Sequence, residues 1–216
     1  MQVQGNLNNV TQIATGSSGH SLALRADGTV WGWGNNRGGQ VGDGMSGPHL
    51  IRPLPVLATS PRVPTGNIIA LEAGSVHSVA LVDDGTVWTW GSNVVAQLGI
   101  GTPAFQNATA IAAAGGNTYA LHEDGTVWAW GQNLSGQLGI PPSARNHATP
   151  TQIQNLDNVV AIAAGPSHAV ALREDGTVWS WGSNTWGQMG NGDGGNRHPY
   201  VEIIPVQAQG LYGVTA

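Results

Sequence analysis

One phrase is written four times in this chain: Asp-Gly-Thr-Val-Trp-x-Trp-Gly, at residues 27–34, 84–91, 124–131 and 175–182. A repeat this faithful constrains the fold more than any local signal, because each copy must take the same structure and stack on its neighbours through the same faces. Ahead of each phrase stands a polar residue leading an apolar run: His20-Ser21-Leu22-Ala23-Leu24, His77-Ser78-Val79-Ala80-Leu81, Asn117-Thr118-Tyr119-Ala120-Leu121 and His168-Ala169-Val170-Ala171-Leu172. Behind it comes a Gln-apolar-Gly signature at Gln40, Gln97, Gln137 and Gln188. The units differ in length, and the segment after that signature absorbs the difference. They run over about residues 6–66, 67–106, 107–157 and 158–210, a single array over 1–216.

Within one unit the pattern reads as four short strands. Residues 159–163 are an apolar run closed by Ala164-Gly165-Pro166, which predicts a buried inner strand and a turn. Residues 169–173 alternate small and large, Asp175-Gly176 reverses the chain, and Thr177-Val178-Trp179-Ser180-Trp181 follows as a third strand. Pro53-Leu54-Pro55-Val56 and Ile203-Ile204-Pro205-Val206-Gln207 predict a fourth, outer strand, where a missing donor does no harm. Side chains alternate across a strand, so both Trp of each pair share a face, opposite Val and a smaller residue (Gly32, Thr89, Ala129 or Ser180). Stacked sheets are then expected to bury a Trp pair at every contact, Trp31, Trp88, Trp128 and Trp179 included. The fold class is all-β, a β-propeller of four-stranded antiparallel blades with four repeat units present.

Composition excludes several functions. The chain has 33 Gly, 12 Pro and 9% charged residues, with 40% apolar residues and nine Trp, so it is turn-dense yet rich in core material. All seven basic residues are Arg, and the net charge is −5, which argues against nucleic acid as a partner. Cys is absent, so Cys-ligated metal and disulfides are excluded. No apolar run is long enough for a spanning helix, and no membrane association is expected. Low charge and missing Lys lean towards an extracellular or secreted bacterial protein.

The signature Gly-x-x-His-Ser-x-Ala-Leu, Asp-Gly-x-Val-x-x-Trp-Gly and Gly-Gln-Leu-Gly resembles the regulator of chromosome condensation repeat over about residues 6–210. Departures are Asn117 in place of His, Ala96 in place of the Gly before Gln97, and a Pro-rich insertion at residues 43–66. The resemblance implies a seven-bladed propeller of which these units are a part. It also implies one face that meets a small GTPase, with polar and His residues contributing. Residues 2–5 resemble 205–208, and residues 211–216 resemble 158–163, so the ends are expected to belong to neighbouring units. Such a fragment is expected to self-associate through unpaired blade ends.

His20, His77 and His168, with Asn117 in the fourth place, are expected where the first strand of each unit turns into the second, near one mouth of the channel. A recurring residue in a recurring geometry is expected to be structural, each imidazole bonding a turn carbonyl of its own blade; the alternative is a functional rim. The loops carrying Asn93, Asn133, Asn184 and Trp186, and the insertion at residues 44–65, vary on a constant frame and are the expected contacts for a protein partner. No Gly-x-Ser-x-Gly elbow, His-Glu-x-x-His pair or Cys nucleophile is present, and no catalytic residue, metal or cofactor is expected. The expected function is a non-catalytic protein-recognition module. The alternatives are guanine-nucleotide exchange on a small GTPase, implied by the resemblance, and a structural segment of a large multidomain protein.

Overall fold

The computed structural model describes residues 7–100, 105–193 and 200–216, and within them it holds strands, turns and coil but no helix. The strands form four antiparallel sheets in which each strand pairs with the next in sequence. The first contains β1 (Val10–Gly16), β2 (His20–Arg25), β3 (Val30–Asn35) and β4 (Ile51–Leu57). The second contains β5 (Ile68–Ala73), β6 (His77–Val82) and β7 (Val87–Gly91). The third contains β8 (Ala108–Ala114), β9 (Asn117–His122), β10 (Val127–Asn133) and β11 (Ser143–Gln152). The fourth contains β12 (Val159–Ala164), β13 (His168–Arg173), β14 (Val178–Ser183) and β15 (Val201–Gln207). The inner strands β1, β5, β8 and β12 touch in succession, so the sheets are blades packed side by side. No comparable contact joins β12 back to β1 among the described residues, and the blades form an open arc.

The second blade has three strands among the described residues, where the repeat leads one to expect four. Where the described residues resume, the Phe105 carbonyl accepts the Val87 N–H at 3.0 Å.

The repeated phrase builds the β2–β3 type of hairpin. Gly28, Gly85, Gly125 and Gly176 sit at φ between 78° and 80°, where a side chain would be strained. One Asp oxygen accepts both the backbone N–H and the hydroxyl of the following Thr, as in Thr29 N to Asp27 Oδ1 at 3.0 Å. Those bonds hold the carboxyls of Asp27, Asp84 and Asp175 below the usual range, and that of Asp124 at about 2. The same Thr hydroxyl then takes the indole N–H of the first Trp, at 2.9 to 3.2 Å in all four blades. This corrects the expectation that both Trp are core. The first of each pair is held at the rim by its own turn, and Trp88 is 40% exposed. Trp90, Trp130 and Trp181 are the buried ones, each filling the contact with the preceding blade.

The segment at residues 44–65, expected as an inserted contact loop, also carries the outer strand expected at Pro53-Leu54-Pro55-Val56. It contains β4, and Val63 within it is buried in the core between the first two blades. Arg52 closes its base on Asp43, which also receives the Asn36 amide at 2.8 Å.

Candidate functional site

Both polar positions singled out in each unit lie at the same end of the blades, opposite the Asp-Gly hairpins. His20 and His77 open the second strand of their blades and are fully buried, but their rings cross into the next blade instead of bonding their own turn. His20 Nε2 lies 3.1 Å from Ser78 Oγ, and His77 Nε2 lies 3.0 Å from Thr118 Oγ1. Each hydroxyl spends its proton on a carbonyl of the blade that carries the histidine: Ser78 on Gln40 O and Thr118 on Gln97 O, both at 2.8 Å. The hydroxyl must therefore accept from Nε2–H, which leaves Nδ1 bare and without a partner. Burial pushes both imidazoles down to about 4, so they are neutral.

The Gly of the Gly-x-x-His signature is the seat of that ring. A Cβ on Gly74 would fall 2.0 Å from His77 Cε1, and one on Gly165 would fall 2.2 Å from His168 Cε1. Strand register puts Ala114 at this position in the third blade, where a Cβ is present and the His is Asn117. The fourth blade correspondingly offers Ala169 where the second and third offer Ser78 and Thr118. Gly, His and hydroxyl are thus lost together at one junction. There Tyr119 OH donates to Gln137 O at 3.1 Å in place of the hydroxyl from across the junction, and Asn117 donates to Gln132 O. Among the described residues no blade packs beyond His168. His168 is half-buried, and burial lowers its pKa.

The second position is the loop after the third strand. Asn36, Asn93, Asn133 and Asn184 each accept, through Oδ1, the N–H of the residue five places on, at 3.0 to 3.2 Å. Gln40, Gln97, Gln137 and Gln188 each accept, through Oε1, the N–H two places back, at 2.7 to 2.9 Å. The turn residue before that Gln has positive φ, satisfied by Gly39, Gly136 and Gly187 and borne at 64° by Ala96. Asn133 and Asn184 are buried and Asn93 is half-buried, so these three side chains hold the loop from beneath. The exposed residues are their neighbours. The place after the Asn is filled by Arg37, Val94, Leu134 and Thr185, with Val94 84% and Leu134 58% exposed. Trp186, one place further on, is 88% exposed. Val94 and Leu134 lie in the loops expected as contacts at residues 93–96 and 133–136, where sequence reasoning singled out the recurrent Asn; aligning the loops on Asn and Gln would have shown apolar residues at their tips.

No group of His, Cys, Asp and Glu suited to holding a metal ion occurs among the described residues. What the arrangement offers is a row of rigid loops with differing tips, on blades locked together from behind.

The model of the RCC1-like domain matches residues 1–216. The human E3 ubiquitin-protein ligase HERC2 is 32% identical over 191 residues, covering 85% of this chain and 3% of that protein. Protein pim1 of Schizosaccharomyces pombe is 34% identical over 189 residues, covering 87% of this chain and 28% of that one. The chain thus spans a minor part of the length of the curated relatives it matches. Among solved structures, Prp20p from Saccharomyces cerevisiae superposes with a TM-score of 0.78 at 23% identity, over 96% of this chain and 52% of that one. Human WBSCR16 does so at 0.74 and 20%, over 95% and 55%. The four-fold signature, the blades it builds and the match along the whole length agree: the chain belongs to the family of RCC1-like domains.

Proposed function

We propose that this propeller is a non-catalytic module that recognises a protein through its row of loop tips. The observation that carries this reading is the contrast within one loop. Asn and Gln fix the backbone identically in all four blades, while the place between them varies from Arg37 to Val94, Leu134 and Thr185 and leaves two large apolar side chains in water. Apolar groups on preorganised backbone lose little entropy on binding and gain the area they bury. The asparagines Asn93, Asn133 and Asn184 act by holding the tips, His20 and His77 by locking the blades, and Asn117 by bonding within its own blade.

The solved relative Prp20p is described by its binding to Gsp1p and histones, which makes a protein partner of this type the first to try. A photo-crosslinking residue at position 134 should capture a partner that the same residue at position 27, on the opposite end of the blades, does not. Val94→Asp with Leu134→Asp should weaken the captured partner at least tenfold, about 1.4 kcal/mol, with the melting temperature unchanged. Unchanged affinity in that double variant would place recognition elsewhere. Acceleration of nucleotide release from a small GTPase by the wild-type chain would favour the exchange reading over a purely binding one.

A further inference from the structure

Besides its apolar residues, the loop-tip end carries charge that nothing in the chain offsets. Arg25, Arg52 and Arg173 are each held in an ion pair, with Asp27, Asp43 and Asp157. Arg37, Arg62 and Arg145 are exposed and make no ion pair among the described residues. Arg62 lies in the segment between the first two blades, whereas Arg37 and Arg145 stand at the loop-tip end. Arg37 is the tip residue of the first loop. Arg145 lies near the start of β11, whose Ser143 and His147 pair with Asn133 and Gly131 at the close of β10. The acids gather at the other end. Each hairpin of the repeated phrase after the first adds a second carboxylate beside its Asp, at Asp83, Glu123 and Glu174, so the net charge of −5 is not what a partner meets at the tips.

These two arginines flank the Val94 tip. Gly38, next to Arg37, approaches the base of that tip so closely that a Cβ on it would fall 2.9 Å from Ser92 Cβ. From the other side Asn146, next to Arg145, brings its amide Nδ2 to 3.5 Å from Val94 O. The Leu134 tip follows, in the blade that carries Arg145. An exposed aliphatic group therefore stands between two arginines that lack counter-ions, on backbone that Asn93 and Gln97 hold fixed. On the fourth blade the sign changes. Burial, with Asp193 close by, pushes the Glu202 carboxyl up, and Asp193 O accepts the Asn184 amide beneath the loop there. Among the described residues, the unpaired arginines of this end are confined to the first three blades.

We propose that the tips of the first three blades take an acidic protein segment, in which a large apolar residue seats against Val94 and Leu134 and carboxylates on both sides of it reach Arg37 and Arg145. The inference rests on the reading of the tips as contacts and names the chemistry they select. A carboxylate matches the planar fork of a guanidinium with two parallel bonds, and the paired charges fix register and speed encounter. The aliphatic tips bury area but offer no ring on which a base could stack, so a polypeptide suits them better than a nucleic acid does. Basic partners are turned away by the same two charges.

Methyl NMR of the full chain tests this with synthetic peptides of equal length, a central Leu flanked on both sides by Glu, by Gln or by Lys. The Glu peptide is expected to shift the Val94 and Leu134 methyl signals saturably, with a Kd about tenfold below that of the Gln peptide, and the Lys peptide not to shift them. Raising the salt should weaken the Glu peptide alone. The guanidiniums of Arg37 and Arg145 make no ion pair among the described residues, so their loss should spare the fold. Arg37→Gln and Arg145→Gln should each weaken the Glu peptide about threefold to fivefold, and Arg37→Glu with Arg145→Glu should transfer the preference to the Lys peptide. Equal response to all the peptides, or an unmoved preference in the double variant, overturns the proposal while leaving the tips as contacts. No response to any peptide overturns it too, and capture through position 134 then decides the role of the tips independently. A single-stranded oligonucleotide that shifts the same methyls as strongly as the Glu peptide shows that charge alone is read, and overturns it as well.

Discussion

A single ring seat explains why the signature contains Gly, His and a hydroxyl residue, and it gives the sharpest predictions at the residue scale. Gly74→Ala drives a methyl group into His77, so it should cost on the order of 1 to 3 kcal/mol. Adding His77→Asn recreates the combination that the third blade carries as Ala114 and Asn117. The double variant should be more stable than the sum of the two singles, and a thermal double-mutant cycle measures the coupling. Acid should act on the same groups. His20 and His77 are held near 4 in the folded chain by burial, against an ordinary value near 6.5. Between those limits the unfolded chain binds protons that the folded chain refuses, so stability is complete above pH 6.5 and falls as the pH drops towards 4. Each histidine accounts for up to roughly 3 kcal/mol of that fall. Melting temperatures from pH 7.5 to 4.5 should drop steeply in the wild type and less so in His77→Gln. None of this was legible from one repeat alone, because the partner of His20 lies 58 residues away in the next unit. The sequence supports a structural histidine; only the packed blades show that the bond runs between repeats.

Strands and turns, in contrast, were readable wherever their determinants are local. Asp, Gly and Thr fix the hairpin within three residues, and β4 and β15 fall on the Pro-containing runs expected to form outer strands. The Trp pair misled because period-two alternation gives the face of a side chain but not its depth along the strand. The first Trp adjoins the turn and bonds its Thr, while the second lies deeper, against the preceding blade. Within β7 this separates two residues of identical type. Trp90→Ala should cost about 3 to 5 kcal/mol, and Trp88→Ala much less, by chemical denaturation of both variants. The short segment after Gly99 was likewise visible in the unit spacing, but a repeat invites the reader to fill every unit alike.

Taken as a whole molecule, the arc has a gradient of enclosure. The second and third blades are covered on both faces, whereas the first and fourth each keep one face open. Local opening free energies should follow that gradient. Amide exchange should be slowest in β6 and β9 and faster in β2 and β13; equal protection in all four strands would contradict it. The joint loss of Gly, His and hydroxyl at the third junction also bears on how such arrays grow. The two sides of a junction are encoded in different repeats, so a duplicated repeat must suit strangers on both flanks. Copying the second blade next to itself sets His77 against a serine and preserves the bond. Copying the third sets Asn117 against a threonine that no imidazole can reach. Gene duplication in this array is therefore not neutral with respect to position: some repeats can be inherited in tandem as they stand, and others only after a neighbour has changed.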